Sequence, residues 1–464
     1  MGPRAHEFRS PWLEQIDDRP AQPLDADLEV DVAVVGAGIA GASTAFHLVR
    51  DTHASVLLLE RDRLGHGATG RNAGQLVTYF ERPLSDLIEE YGPAPVIAAQ
   101  RDVDESWDVL DGIVSTVGGR ARVDHCVGHM AMFNLDHVLV HLHNLQIRRD
   151  GGLVVDHCVV SEDAPFLDEI GDEYAGLYTL VPQAQIHELL GNDDPRYRAV
   201  LSSHKGCANG ALLCQDIVAH LESAHADRFR FADRALVRRI LLHDGCAEIE
   251  VGNHRVRAER VVLCTNGFVD HVVENRAGPP VSFESHRSVR GTVGYMVGAI
   301  EPVGRATSAR SFIRNEHIGD DLIPYVYVTE REFERDGTAV SLVCAGGPEV
   351  EYDSSYDPDA SLGAAIAQQF DAEVLPIAFP GRQPGRPYEY AWHGLMGYTP
   401  SQVRLVGIEP NNPVLLYNLG CNGVGFLPSV AGGLRIARLI RGDELPPSIF
   451  DPATTAPGAT RVQQ

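Results

Sequence analysis

The sequence predicts an α/β protein: a Rossmann-like dinucleotide-binding domain joined to a second domain. Three observations carry that prediction. Residues 31–48 (DVAVVGAGIAGASTAFHL) pass from the apolar run Val32, Ala33, Val34 and Val35 through a turn at Gly36, Gly38 and Gly41, and Ala42, Ala45, Phe46 and Val49 follow at helical spacing. Residues 55–60 (SVLLLE) read as the next strand, and its last residue, Glu60, stands 19 residues after Gly41, near the spacing at which a carboxylate meets a ribose diol. A chain of 464 residues is too long for one compact core and implies two domains, either of which can be discontinuous.

Each part of the first stretch has a physical reason. Gly36 permits the tight turn, Gly38 lets the backbone approach a pyrophosphate, and Gly41 lets the helix pack closely on the strand. The N–H groups that open the helix, around Ile39 and Ala40, face the anion together with the positive end of the helix dipole. In a chain with 45 glycines this spacing alone is a weak signal, so the flanking strand and Glu60 decide the reading.

Composition narrows the function classes. The formal net charge is −25 and the pI is near 5.1, which argues against a general binder of nucleic acid or anionic membrane. The eight cysteines include no Cys-x-x-Cys pair, so reduced, mostly buried thiols are expected rather than a zinc ribbon or dithiol. The first residues are polar and interrupted by proline, and no run of eighteen apolar residues occurs; a soluble, cytoplasmic protein is the expectation.

In order along the chain, residues 1–27 read as an arm over the surface, anchored by Trp12. After Glu60, residues 61–76 (RDRLGHGATGRNAGQL) form a loop poor in side chains, able to lie against a flat ligand, with Arg71 and Asn72 set between glycines. GAGIAG, then LLLER, then GATGRNAGQL in this order resembles the flavin oxidoreductases of the D-amino-acid oxidase and glycine oxidase superfamily. The wording around residues 71–75 is most similar to the gamma-glutamylputrescine oxidase-like members. The resemblance implies bound FAD and a discontinuous α+β substrate domain built on a large mixed sheet. It assigns the pyrophosphate to Gly36, Gly38, Ile39, Ala40 and Gly41, and the adenosine ribose to Glu60 with Arg61. It places Thr69, Arg71, Asn72, Ala73, Gly74 and Gln75 along the pyrophosphate and the flavin.

Residues 81–120 read as helical, with Val96, Ala99, Val103, Trp107 and Leu110 recurring at three or four residues. His137 and His141 lie four apart on the next predicted helix, capped near Asn134, but no third metal ligand is identifiable and the helix has an ordinary core stripe; no metal is expected. From Lys205 a glycine-containing strand and helix resemble the family's return to the cofactor domain, followed by short strands with turns at 244–245 and 252–253. Val237 matches a position whose backbone meets adenine in relatives, and VVLCTNGF assigns Thr265, Asn266 and Gly267 to the dinucleotide.

Residues 277–385 read as the returning half of the second domain, where Thr292 replaces a glutamine of the family. PYVYVTE alternates strictly, placing Tyr325 and Tyr327 on one face and Val326 and Val328 on the other, and both tyrosines are candidate pocket residues. Toward the end, a Thr-Pro segment has Ser401 in place of the usual aspartate, and Gly423, Val424, Gly425 and Phe426 match the loop and helix start at the flavin's pyrimidine end. The tail beyond Asp451 is expected to lack order. These matches divide the chain into cofactor segments 28–110, 201–275 and 386–450 and substrate segments 111–200 and 276–385.

The function implied is oxidation of a C–N bond in an amine, secondary amine or amino acid to an imine, with hydride transfer to FAD and reoxidation by O2. A dehydrogenase using another acceptor and a redox-silent FAD-binding subunit are the alternatives; a flavin hydroxylase would need a late Gly-Asp-Ala type motif that is not found. A substrate carboxylate asks for an Arg fork, with Arg287, Arg290 and Arg386 as candidates. The family's lysine beside the flavin has no counterpart, since Cys344 stands near that position. The candidate charge for oxygen is Lys205, the single lysine, or an arginine or a histidine; without one, oxygen is a poor acceptor. No covalent link to flavin is expected, because Gly394 and Arg71 occupy the linking positions; His66 and Cys421 are the residues to check. The oligomeric state is open.

Overall fold

The structure, a computed structural model, describes residues 9–283, 288–303, 306–314, 325–352, 356–380 and 388–455. The apolar run after Asp31 becomes the strand Leu28–Val35, parallel to Val56–Leu59 on one side and to His254–Leu263 on the other. Val32 and Val34 pack among the helices on one face while Ala33 and Val35 pack into the core on the other. A strand buried on both faces needs an uninterrupted apolar run, which is what the sequence shows. Among the described residues this sheet has nine strands, extended by Phe229–Ala232 at one edge, by the meander Val237–Leu242 and Ala247–Val251, and by Leu415–Leu419 beside His254–Leu263. The helices Ile39–Asp51, Gly210–Ala224 and Phe426–Arg441 cover it.

A second, mixed sheet of ten described strands carries the other half. Its order runs Tyr390–Tyr398, Arg290–Glu301, Thr338–Tyr352, Tyr325–Arg335, Ser308–Ile313, Val123–Met132, Ala199–Ala208, His157–Ser161 and Tyr178–Val181, with Gln75–Leu76 paired to Ala199–Ala208. The strand Ala199–Ala208 therefore spans the expected segment limit at residue 201 and pairs along its whole length with Val123–Met132. Likewise Tyr390–Tyr398, beyond the limit at 385, pairs with Arg290–Glu301 of this sheet. The helix after Ala199–Ala208 packs on Ile39–Asp51 of the first half, so the chain changes layers at Asn209, whose side chain caps that helix.

Local expectations fare as follows. The region 81–120 is three helices, Leu84–Tyr91, Pro93–Asp104 and Ser106–Val117, broken at Gly92 with φ of 83° ahead of Pro93. Asn134 caps the helix Leu135–Asp150 by accepting the N–H of His137 at 3.0 Å, and among the described residues no three His, Cys, Asp or Glu side chains are placed to share a metal. All eight cysteines are free thiols. Trp12 is 1% exposed and anchors the arm, while of residues 14–27, which run over the surface, Leu24 alone is buried; residues 1–8 lie outside the described residues. Of the tail beyond Asp451, residues 452–455 form the helical turn Pro452–Thr455, held where Asp451 accepts from Arg435 at 2.9 Å, and residues 456–464 lie outside the described residues.

Candidate active site

The glycine turn is shaped by contacts that exclude any side chain. Gly36 takes φ of +102°, and a Cβ there would stand 2.7 Å from the Cys264 carbonyl oxygen. At Gly38 a Cβ would meet Thr69 Oγ1 at 2.8 Å; that hydroxyl accepts the N–H of Ile39 at 2.9 Å and ties the small-residue loop to the helix start. Glu60 closes the turn, its two oxygens accepting the N–H groups of Ala37 at 2.8 Å and Asp62 at 3.0 Å. Burial pushes its carboxyl above the usual range in spite of these bonds. Each oxygen keeps acceptor capacity for a hydroxyl, as a ribose diol requires.

The loop from 61 to 76 is pinned from both layers. Arg71 is buried and donates to the carbonyls of His66 and Pro358, both at 3.0 Å, which braces the loop. The Asn72 side chain bridges the Thr69 carbonyl and the Gly74 N–H, and the Asn72 backbone carbonyl accepts the indole N–H of Trp12 at 2.6 Å. From the second sheet, Thr329 donates to the Ala73 carbonyl at 2.8 Å.

These pieces line a cavity of about 550 Å³. Of the expected cofactor residues, Gly36, Gly38, Ile39, Ala40, Glu60, Arg61, Thr69, Arg71, Asn72, Ala73, Gln75, Val237, Thr265, Asn266, Gly423, Val424, Gly425 and Phe426 are on its wall. Gly41, Gly74 and Gly267 stand behind it, where close packing needs them: their Cβ atoms would be 1.8 Å from the Gly36 carbonyl oxygen, 2.7 Å from the Trp12 ring and 2.6 Å from the Met396 carbonyl oxygen. At the far end Asn266 (φ 49°) and Asn422 (φ 47°) hold left-handed turns, and Asn266 Oδ1 accepts the Cys421 N–H at 3.0 Å. Gly425 opens the helix Phe426–Arg441, whose N-terminus faces the cavity. Glycines that permit close backbone approach, acceptors for a ribose and a helix N-terminus in one wall fit the groups of FAD.

The opposite wall is acidic and aromatic. Tyr325 and Tyr327 line the cavity from one face of their strand, and Val326 and Val328 enter the core behind it, as their alternation predicts. Tyr79, Glu81 and Glu349, absent from the sequence reading, join them. Tyr325 donates its hydroxyl to Glu81 Oε1 at 2.7 Å, and Tyr398 donates to Glu349 Oε2 at 3.5 Å. Burial pushes the Glu81 carboxyl up to about 7, against the Tyr325 hydrogen bond and the charge of Lys205. Glu349 is pushed up to about 8, by burial first and by the neighbouring Glu81 second. No local pattern marks either glutamate: one sits just past the small-residue loop in TYFERP, the other near the end of a long strand.

Two expected catalytic residues are not on the cavity. Arg290 pairs with Glu351 at 2.5 Å and lies 5.4 Å over the Tyr398 ring, on the outer side of that tyrosine. Lys205 is 1% exposed, with its stem across Gly128 and its Nζ 3.4 Å from Ser311 Oγ and 5.9 Å from the centre of the Tyr79 ring. It stands one ring behind the wall, and burial pushes it down to about 8. Cys344 is buried beside Trp12 and Trp392, away from the cavity lining. Arg287 and Arg386 lie outside the described residues.

A family model described as DAO, FAD dependent oxidoreductase, matches residues 31–439. Gamma-glutamylputrescine oxidoreductase of Escherichia coli strain K12 is 41% identical over 73 residues, which are 16% of this chain and 17% of the relative. A probable oxidoreductase, OrdL, of Haemophilus influenzae is 32% identical over 108 residues, 23% of this chain and 22% of the relative. The matched stretches thus span less than a quarter of either relative's length. Glycine oxidase from Geobacillus kaustophilus superposes with a TM-score of 0.63 at 16% identity, over 91% of this chain and 98% of that one. L-proline dehydrogenase from P. horikoshii gives 0.65 at 14% identity, over 92% and 97%. At such identities the superpositions speak to the fold.

Proposed function

Because the chain belongs to the DAO family of FAD dependent oxidoreductases, we propose that it oxidises a C–N bond of an amine, secondary amine or amino acid to an imine, with O2 as the acceptor that restores the cofactor. The observation that carries this reading is the single cavity in which the dinucleotide wall faces Tyr79, Tyr325, Tyr327 and two glutamates. FAD supplies the hydride acceptor. The protein's own part is positional: the braced loop and the C-terminal helix form one wall, and the tyrosine face confines a small substrate against it. The resemblance to gamma-glutamylputrescine oxidoreductase supports a C–N bond as the target.

The reading is tested by anaerobic bleaching of the yellow protein with a panel of amines, amino acids and 2-hydroxy acids, followed by admission of air. Bleaching by a C–N substrate is expected, and bleaching by hydroxy acids alone would overturn it. Rapid recolouring in air is expected for an oxidase, and slower recolouring for Lys205→Met, since that substitution removes a buried cation one ring from the cavity. Recolouring of the wild type no faster than free cofactor would favour the dehydrogenase; a fast rate unchanged by the substitution would clear Lys205.

FAD is held without a covalent bond in this proposal. Gly394 offers no nucleophile, Arg71 is committed to two carbonyls, His66 Nδ1 meets the Leu64 carbonyl at 3.1 Å, and Cys421 Sγ accepts from Asn266 at 3.4 Å. Acid precipitation should leave a white pellet and a yellow supernatant; a pellet that keeps its colour would refute it.

A further inference from the structure

We propose that Glu81 and Glu349, with Tyr325 and Tyr327, form a recognition site for a substrate ammonium group, so that the cavity selects alkyl amines over carboxylate-bearing amino acids. The inference rests on the C–N reading above and names the substrate class for that same site. Glu349 Oε1 is a buried oxygen with no hydrogen-bond partner among the described residues, although it lines the cavity. A buried acceptor left open is costly unless a donor arrives with the ligand. Glu81 lies alongside: a Cβ at Gly423 would be 3.0 Å from Glu81 Oε1 and 3.2 Å from the Tyr398 hydroxyl that donates to Glu349. Glu81 and the tyrosine that holds Glu349 thus converge beside the C-terminal glycine loop.

The arginines on the described wall are already engaged. Arg71 donates to two carbonyls, Arg404 to Asn418 and Gly420, and Arg61 to Asp270. A carboxylate would therefore find no free fork to hold it and, once both glutamates ionise, two like charges, while an ammonium would meet two acceptors and tyrosine rings. Glu81 also has a use for the ammonium's proton. An N–H proton passes from the substrate nitrogen to the Glu81 carboxylate, giving a neutral amine and a protonated Glu81. The lone pair released on nitrogen is what hydride loss from the adjacent carbon requires.

The groups facing this pair set its pH response. Tyr325, Tyr79 and Lys205 act on Glu81, and Tyr398, Tyr327 and Arg290 surround Glu349. Each carboxyl must ionise to bind a cation, so affinity for an ammonium should rise with pH through about 7 to about 8 and fall where the amine itself loses its charge.

The test uses the FAD-loaded protein and two ligands of one shape that carry no hydrogen on the carbon bearing the charged group, tert-butylammonium and pivalate. Binding is read from the perturbed cofactor spectrum. Tert-butylammonium should bind about tenfold or more tightly than pivalate, and Glu349→Gln should weaken it by about 10- to 100-fold while cofactor content and melting temperature stay at wild-type values. Glu81→Gln should in addition move the pH midpoint of amine bleaching upward, toward the ionisation of the free amine. Equal or tighter binding of pivalate, no binding of tert-butylammonium, or binding unchanged in the Glu81→Gln/Glu349→Gln double variant would overturn the proposal. Bleaching by amino acids but not amines would overturn it while leaving the C–N reading intact; failure of every C–N compound to bleach would remove that reading itself.

Discussion

Gly41→Ala is expected to yield protein that does not retain FAD. The added methyl would stand 1.8 Å from the Gly36 carbonyl oxygen, 3.0 Å from the Gly36 carbonyl carbon and 3.4 Å from Leu58 Cδ1. The turn cannot yield, because Gly36 is itself confined at φ of +102° with the Cys264 carbonyl beneath it. Nor can the helix Ile39–Asp51 recede. On its other side Gly433 of Phe426–Arg441 packs so closely that a Cβ there would be 2.8 Å from the Thr44 nitrogen, and Ser43 donates to the Ser429 carbonyl at 3.3 Å. Overpacking of a site closed on both sides costs about 3 kcal/mol, which corresponds to roughly a 100-fold loss of cofactor affinity if it falls on the bound state. The measurement is the ratio of cofactor to protein absorbance after gel filtration, with Gly112→Ala as the control. Gly112 has open space around it within the helix Ser106–Val117, and alanine there should raise stability by about 0.5–1 kcal/mol. A Gly41→Ala protein as yellow as the wild type would show that the turn relaxes in a way this packing does not allow.

Trp12→Ala should be nearly as damaging, although the residue lies far from the glycine turn in sequence. Its ring is buried among Ala73, Met296, Phe333, Leu342, Tyr390 and Trp392 and lies against Gly74, joining the small-residue loop to the second sheet. Arg331 stacks above the ring at 5.7 Å, and the Trp12 indole N–H donates to the Asn72 backbone carbonyl. Truncating a buried tryptophan costs about 3–5 kcal/mol, and in a chain of this size that lowers the melting temperature by roughly 5 °C. Cofactor content should fall as well, because the loop loses its support. Trp12→Phe keeps most of the packing and loses the hydrogen bond, so about 1 kcal/mol is expected. Melting curves and cofactor ratios for the pair check both points; a Trp12→Ala protein with wild-type melting would show that the anchor does not support the loop.

The two predictions differ in how far they could be read from the chain. Gly41 belongs to a contiguous signal: an apolar run, a glycine spacing and an acidic residue 19 positions on, each set by local backbone geometry. Tyr325 and Tyr327 were also legible, because strict alternation in a strand sends neighbours to opposite faces. Trp12 was legible as the anchor of its arm, but its partners Asn72, Gly74 and Arg331 were not. Arg290 and Lys205 were named from their charge, and the structure turns one outward to Glu351 and buries the other behind Tyr79. The sheet membership of Ala199–Ala208 followed a similar course, since a glycine-bearing strand ahead of a helix suits either layer until its partner is known.

What the chain determined by itself is therefore the dinucleotide wall, because a pyrophosphate is held mainly by backbone N–H groups, and backbone placed around an anion must come from consecutive residues at fixed spacing. What only the tertiary structure decided is the wall opposite. Glu81 meets Tyr325 across 244 positions, and Trp12 meets Asn72 across 60. A pocket built from side chains asks only that they converge in space, so no spacing along the chain had to record it.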